Sequence, residues 1–139
     1  MIILDTNVLS EVMRPEPEKR VIFWMDGISG IDLGITSITV AEILYGIGLL
    51  PDGKRKKRLF EIACIMFEKD FTGRIFSFDH IAAVEYADIV IQREKRGNPI
   101  SIPDAQIAAI CRCGKCSLAT RNYKDYEYTG IELINPWEM

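Results

Sequence analysis

The sequence lacks the residues and motifs of several common enzyme classes. Its single histidine, His80, cannot supply a two-histidine acid–base pair. The G-x-S-x-G nucleophile elbow, the phosphate-binding P-loop and the dinucleotide-binding glycine fingerprint are also missing. No apolar run approaches the roughly 18 residues of a membrane-spanning helix, and Met1 leads directly into apolar residues without a basic signal-peptide start. We therefore expect a cytoplasmic protein with no membrane partner.

A strongly basic composition is missing too, because 17 basic and 20 acidic side chains give a net charge of −3. A nucleic-acid partner would therefore have to contact local basic groups. The candidates are Lys54–Arg58, Arg93, Lys95, Arg96, Arg112, Lys115 and Arg121. For any single run, a solvated helix face is the simpler interpretation.

The cysteines offer one metal-site hypothesis. Cys111, Cys113 and Cys116 have the spacing C-x-C-x-x-C, which allows zinc ligation. However, His80 is far away in sequence, so no fourth ligand is obvious. Reduced cytosolic thiols are the favoured interpretation, since a cytosolic chain of 139 residues needs no disulfide framework.

Short apolar strands alternate with helices along the whole chain. We predict strands over 2–5, 32–37, 74–78, 117–120 and 131–134, and helices over 6–13, 18–26, 39–50, 54–69, 79–96 and 103–113. This alternation is typical of an α/β fold with a mostly parallel five-stranded sheet and helices on both faces. No linker or internal repeat divides it, so residues 1–139 form one domain.

Three carboxylates stand at equivalent places in this alternation. Asp5 ends the first strand, and Glu42 and Asp104 are each predicted in the first turn of a helix. Because the carboxyl ends of parallel strands share one edge of the sheet, the three acids could converge there. Helix capping is the competing explanation, since Thr39-x-x-Glu42 and Ser101-x-x-Asp104 both match a capping box.

Clustered carboxylates repel one another and are stable mainly around a cation. Mg²⁺ or Mn²⁺ prefers such hard oxygen ligands and keeps several bound waters. A metal ion of this kind lowers the pKa of a bound water and neutralises charge on a phosphodiester. The acidic residues therefore indicate a hydrolase acting on phosphodiesters.

Five short motifs carry a resemblance to a known family. They are ILDTNVLSE at 3–11, TVAEILYG at 39–46, IPDAQIA at 102–108, LATRNYKDY at 118–126 and GIELINPW at 130–137. In this order they resemble the PIN-domain family and, within it, the VapC-type toxins of bacterial toxin–antitoxin pairs. The resemblance spans the whole chain.

The resemblance implies a three-layer α/β/α sandwich and a Mg²⁺- or Mn²⁺-dependent endoribonuclease. It also implies a homodimer inhibited by a small antitoxin, with operator DNA reached only through that antitoxin. Its metal-binding acids map onto Asp5, Glu42 and Asp104. Many members carry a fourth acid where this chain has Asn122, and Asp125, three residues on, could partly substitute. Asn122 completes the predicted catalytic set.

Three further residues could support the site. Thr6 and Asn7 could orient a metal-bound water or a phosphate, although capping of the following helix explains them equally well. The hydroxyl of Thr120 could contact phosphate, whereas a β-branched residue at a strand end is the simpler interpretation.

Two other functions are compatible with the sequence. The chain could be mainly a non-catalytic, dimerising subunit of a DNA-bound autoregulatory toxin–antitoxin complex. It could also be a phosphoryl-transfer domain with an aspartyl-phosphate, but Asp5-Thr6-Asn7 lacks the second acid of the D-x-D motif. A surplus of apolar residues in the helices over 18–26 and 39–50 favours a partner surface, although burial within a monomer would explain it too.

Overall fold

The computed structural model describes all residues, 1–139. The strands are β1 (Ile2–Leu4), β2 (Leu33–Thr36), β3 (Ile75–Phe76), β4 (Ser117–Ala119) and β5 (Leu133–Ile134). The helices are α1 (Thr6–Val12), α2 (Lys19–Asp26), α3 (Ser37–Gly48), α4 (Lys54–Ile65), α5 (His80–Lys95) and α6 (Ile102–Cys113). Short 3₁₀ turns cover Gly30–Asp32 and Tyr123–Tyr126, and a π-helical turn covers Met66–Asp70.

The five strands form one sheet in the order β3-β2-β1-β4-β5, and every neighbouring pair is parallel. β1 is the central strand, since Ile3 pairs with Gly34 of β2 on one side and Leu118 of β4 on the other. Gly34 allows a close approach, because a Cβ there would lie 2.8 Å from the Phe76 ring. The predicted α/β fold with a parallel five-stranded sheet is confirmed.

Helices cover both faces of the sheet. Ile3 and Leu4 are adjacent in β1 and fully buried, yet they belong to different hydrophobic clusters because successive strand residues point to opposite faces. Leu4 packs in the cluster that contains residues of α1 to α4, and Ile3 packs with residues of α5 and α6. Each such burial contributes roughly 1.5–3 kcal/mol. The result is the three-layer α/β/α arrangement.

One predicted helix start and one alternative capping assignment are wrong. Helix α3 begins at Ser37, and Thr36 is its N-cap, with its hydroxyl accepting from the backbone N–H of Thr39 at 3.1 Å. Strand β2 therefore passes directly into α3, and Glu42 lies in the second turn rather than in a capping box with Thr39. At α1, the cap is Asp5, so neither Thr6 nor Asn7 caps that helix.

The remaining elements differ from the predictions mainly at their ends. The helix predicted over 54–69 ends as α4 at Ile65 and continues as the π-helical turn.

The four cysteines are free, and no group of three or more His, Cys, Asp or Glu side chains is arranged to hold a metal ion. The zinc hypothesis therefore has no geometric support. None of the helices has the length and apolar character needed to span a bilayer.

Candidate active site

Asp5 is at the centre of the candidate site. It follows β1, its backbone N–H donates to the Ala119 carbonyl at 2.9 Å, and only 5% of the residue is exposed. Its Oδ1 accepts from the Thr6 backbone N–H at 2.8 Å. Its Oδ2 accepts from the hydroxyl of Thr120 at 2.7 Å and from the amide of Asn7 at 3.3 Å. The carboxylate is thus fixed by the start of α1 and the end of β4.

Burial raises the pKa of Asp5 from its ordinary value of 3.8 to about 6. Hydrogen bonds from Thr120, Thr6 and Tyr126 oppose this rise, while the nearby negative charge of Asp104 adds to it. The rise in pKa caused by desolvation is larger than the lowering caused by the hydrogen-bond donors. The carboxylate of Asp5 is therefore an unfavourable charge in the protein alone, and a nearby cation would stabilise it.

Asp104 approaches Asp5 through a shared tyrosine. It lies in the first turn of α6, where the Ser101 hydroxyl accepts from its backbone N–H at 3.3 Å, as predicted. Its carboxylate does not return to Ser101; its Oδ1 accepts from the hydroxyl of Tyr126 at 3.1 Å. The same hydroxyl lies 3.2 Å from Oδ1 of Asp5. The structure therefore brings Asp5 and Asp104 together.

Tyr126 is a site residue that the sequence did not single out. Burial, together with the charges of Asp5 and Asp104, raises its pKa far above the ordinary tyrosine value, so its hydroxyl stays protonated and can donate. The only sequence signal was its place at the end of the motif over 118–126. Nothing in that motif shows that the hydroxyl reaches two aspartates.

Glu42 lies farther from the centre of the site. It is exposed, and its Oε1 accepts from the hydroxyl of Thr6 at 2.7 Å. That hydroxyl is also 3.0 Å from the buried hydroxyl of Thr39. Glu42 is therefore connected to Asp5 through Thr6 and does not share a direct contact with the aspartates. This separation agrees with the absence of a closed cluster of three acids.

Asn7 and Thr120 join the same network, and Asn122 does so through its backbone. Asn7 donates to Asp5, and its Oδ1 accepts from the backbone N–H of Arg121 at 3.3 Å. The Thr120 hydroxyl accepts from the backbone N–H of Asn122 at 3.0 Å while it donates to Asp5. The side chain of Asn122 is exposed and makes no hydrogen bond within the protein.

The structure does not bring Asp125 into this network. Asp125 is exposed, and its side chain makes no hydrogen bond to the site residues. With Asn122 and Arg121 it lines a groove of about 720 Å³ beside the carboxyl ends of β4 and β5. Asp125 lies near Asn122 but does not occupy the position of a fourth acid next to Asp5.

The basic residues proposed as nucleic-acid contacts differ in whether acidic side chains of the protein already pair with them. The guanidinium of Arg121 lies over the Trp137 ring, 5.1 Å from its centroid, and forms no ion pair. Most of the Lys54–Arg58 run is exposed at the start of α4. Arg112 pairs with Glu85 and Asp88 across α5 and α6. Both carboxylates already neutralise its charge, so Arg112 is a weaker candidate for a nucleic-acid contact than Arg121.

Arg93 is the basic candidate that the structure rules out. Only 2% of it is exposed, and its guanidinium donates to backbone carbonyls, including those of Asp125 at 2.8 Å and Glu127 at 3.0 Å. It cannot contact a nucleic acid. Its contacts instead hold the segment on either side of Tyr126.

The donor set fits Mg²⁺ or Mn²⁺. The side chains that hydrogen-bond to Asp5 or Asp104 do so through hydroxyl or amide groups, and no basic side chain forms an ion pair with either aspartate or with Glu42. Mg²⁺ is commonly held by one or two carboxylates and keeps several waters. Two converging aspartates match that requirement, and Glu42 is connected to them through the hydrogen bonds of Thr6.

Comparison with known proteins agrees with the fold. The family model of the PIN domain matches residues 2–130. The chain is 38% identical over 137 residues to Toxin FitB of Neisseria gonorrhoeae and 36% identical over 138 residues to VapC ribonuclease Y4jK of Sinorhizobium fredii; each alignment covers 99% of both chains. The chain belongs to the PIN-domain family, as its motifs predicted.

A solved structure extends this comparison. The chain superposes with a TM-score of 0.94 and 37% identity on one chain of the structure of FitAB bound to an IR36 DNA fragment. The match covers 100% of this chain and 97% of the other. The similarity therefore includes every element described above.

Proposed function

We propose that the protein is a Mg²⁺- or Mn²⁺-dependent endoribonuclease that acts as the toxin of a toxin–antitoxin pair. The observation that carries the proposal is the pair of converging aspartates, Asp5 and Asp104, which no cationic side chain neutralises. The names of the relatives, a toxin and a VapC ribonuclease, support the choice of RNA as the substrate.

Each site residue has a distinct task in this proposal. Asp5 and Asp104 would hold the metal ion directly, and Glu42 would act through a bound water, because Thr6 separates it from the aspartates. When bound, the metal supplies a water of lowered pKa and neutralises charge that develops on the scissile phosphate. Thr120 and Asn7 orient the carboxylate of Asp5 throughout.

The substrate would lie along the exposed edge of the site. Arg121 is adjacent in sequence to Thr120, carries no ion pair and is held against Trp137. Its guanidinium can therefore contact a phosphate close to the metal. The exposed side chain of Asn122 is the second polar group there, and it can donate to a phosphate oxygen or hold a water.

The proposed protein partner is a cognate antitoxin, and the active form is a homodimer. Exposed apolar side chains support a partner surface, because Phe23 of α2 is 83% exposed, Tyr45 of α3 is 70% exposed, and Leu49, directly after α3, is 67% exposed. Ile43, on the other side of α3, is buried in the core. Contiguous patches of exposed aromatic and aliphatic groups are typical of surfaces that another protein covers.

A DNA-bound regulatory role is a second candidate function. The observation that favours it is the similarity to FitAB, which was solved on a DNA fragment. In that role this chain would contact operator DNA only through its antitoxin, in agreement with its net charge of −3. The two roles can coexist in one protein.

RNA cleavage by the purified protein separates these functions. Labelled single-stranded RNA is incubated with Mg²⁺, Mn²⁺ or EDTA, using wild type, Asp5→Asn and the control Asp26→Asn. Asp26 is an exposed acid at the end of α2, so its variant removes the same charge away from the site. We expect metal-dependent cleavage by wild type and Asp26→Asn only. Wild-type cleavage that persists in EDTA, or equal cleavage by Asp5→Asn, contradicts the proposed function.

A further inference from the structure

The hydroxyl of Tyr126 is the one group that contacts both aspartates of the site. It lies 3.2 Å from Oδ1 of Asp5 and 3.1 Å from Oδ1 of Asp104, and the residue is 1% exposed. Its ring packs in the core cluster that includes Ile107 and Leu118. The hydroxyl carries one proton and can donate it to only one of the two oxygens at a time. Because the hydroxyl lies within hydrogen-bond distance of both oxygens, it still limits how far the two carboxylates separate or approach.

Arg93 fixes the backbone on both sides of Tyr126. Its guanidinium donates to the carbonyls of Asp125 and Glu127, the two neighbours of Tyr126 in sequence. It also donates to the carbonyl of Asn98 at 2.6 Å and to its side-chain oxygen at 3.2 Å. The turn after α5 and the turn that carries Tyr126 are therefore joined through one side chain.

Arg93 has no carboxylate partner, which is unusual for a buried cation. Burying a charge is costly unless hydrogen bonds replace its water, and here backbone carbonyls and one amide oxygen do so. The planar guanidinium presents five N–H groups in a fixed fork, which lysine cannot reproduce. Moving any of these carbonyls would leave the charge less solvated, so the turn around Tyr126 is held firmly.

We propose that Tyr126 is a further positioning residue of the metal site and that Arg93 acts through it. This inference rests on the proposed function, because it concerns the metal that Asp5 and Asp104 would hold. Groups that hydrogen-bond to metal ligands orient them, and removing such a group typically lowers metal affinity by about 10–100-fold. Tyr126 contacts two proposed ligands at once, so its hydroxyl sets their separation before the metal binds.

Calorimetric titration with Mn²⁺ tests Tyr126 without relying on catalysis. We expect Tyr126→Phe to bind Mn²⁺ about 10-fold more weakly than wild type does. Tyr123→Phe is the matched control, because it removes a hydroxyl from the same turn that donates to the Leu133 carbonyl at 2.8 Å instead of to the acids. Wild-type affinity in Tyr126→Phe, or an equal loss in Tyr123→Phe, overturns the inference.

The result for wild type distinguishes this inference from the proposed function. Wild-type protein that neither binds Mn²⁺ nor cleaves RNA contradicts the proposed function and the inference with it. Wild-type protein that does both, with an unchanged Tyr126→Phe affinity, contradicts the inference alone.

A double-mutant cycle tests the role of Arg93. Arg93→Lys keeps the charge but cannot reach all of the carbonyls, so we expect it to lower Mn²⁺ affinity as well. If Arg93 acts through Tyr126, the double variant loses no more affinity than Tyr126→Phe alone, although its stability falls further. Additive losses of affinity contradict the action through Tyr126. Should Arg93→Lys fail to fold, the comparison of Tyr126→Phe with Tyr123→Phe still decides the role of Tyr126.

Discussion

Asp5 should make the metal-free protein less stable as the pH rises. Its pKa is about 6 in the folded protein and 3.8 in the unfolded chain, so the folded state binds its proton more tightly. Stability therefore falls as the pH rises from about 4 to about 6, and the loss is complete above that window. At about 1.36 kcal/mol per pKa unit, the full loss is about 3 kcal/mol. No discount for solvent screening is needed, because Asp5 is 5% exposed.

Asp5→Asn isolates this effect, because asparagine does not titrate. The amide also loses an acceptor for Thr120, Asn7 or Thr6, but that loss is the same at every pH. The free energy of unfolding of wild type minus that of the variant should therefore fall by about 2.5 kcal/mol between pH 4 and pH 7. Other titrating groups are present in both proteins and largely cancel.

Urea unfolding of both proteins in EDTA, at half-unit intervals of pH, measures this difference. Saturating Mn²⁺ at pH 7 should then stabilise wild type and leave Asp5→Asn nearly unchanged. A difference in unfolding free energy that stays constant from pH 4 to pH 7 would refute the reasoning, because Asp5 would then have the same pKa in both states.

Three further predictions concern the network and the substrate. Thr120→Val should destabilise the protein by about 1–3 kcal/mol at pH 7 and raise the Asp5 pKa further, because it removes the closest donor to the carboxylate. Urea unfolding measures the change in stability, and a carboxyl ¹³C titration measures the change in pKa. Arg121→Gln should weaken RNA binding and reduce the slope of log affinity against log salt by about 0.7, the contribution of one phosphate on a single strand. Unchanged binding would place Arg121 outside the RNA path. For the wild type, a footprint of ~3–4 phosphates gives a slope of log affinity against log salt near −2 to −3. Replacing Lys54, Arg55, Lys56, Lys57 and Arg58 with Ser should make this slope shallower without abolishing cleavage at saturating RNA. An unaltered slope would show that the run is only a solvated helix start.

Most of the fold could be predicted from the sequence, because local patterns determine it. Alternating apolar strands and helical periodicity placed all five strands and six helices within a few residues. The start of α3 was missed because Thr36 and Thr39 are both good N-cap residues. Which of them caps the helix depends on where β2 ends. Only the sheet geometry shows where that strand ends.

The contacts around the site were harder to predict, because they are long-range. Tyr126 reaches Asp5 across 121 positions of sequence, and the partners of Arg93 are backbone carbonyls that leave no side-chain signature. Arg112 looked available because its acidic partners lie on another helix. The acids themselves were identifiable, since strand ends and helix starts fix their place along the sheet edge.

The central claim is that Asp5 and Asp104 together hold a divalent metal ion. Its most direct measurement is anomalous X-ray diffraction at the manganese edge from crystals of wild type and Asp104→Asn grown with Mn²⁺. The account predicts one anomalous peak within coordination distance of both aspartates in wild type, and its loss or marked weakening in Asp104→Asn. A wild-type crystal with no peak there, or with its strongest peak elsewhere, such as beside the cysteines of α6, would contradict it.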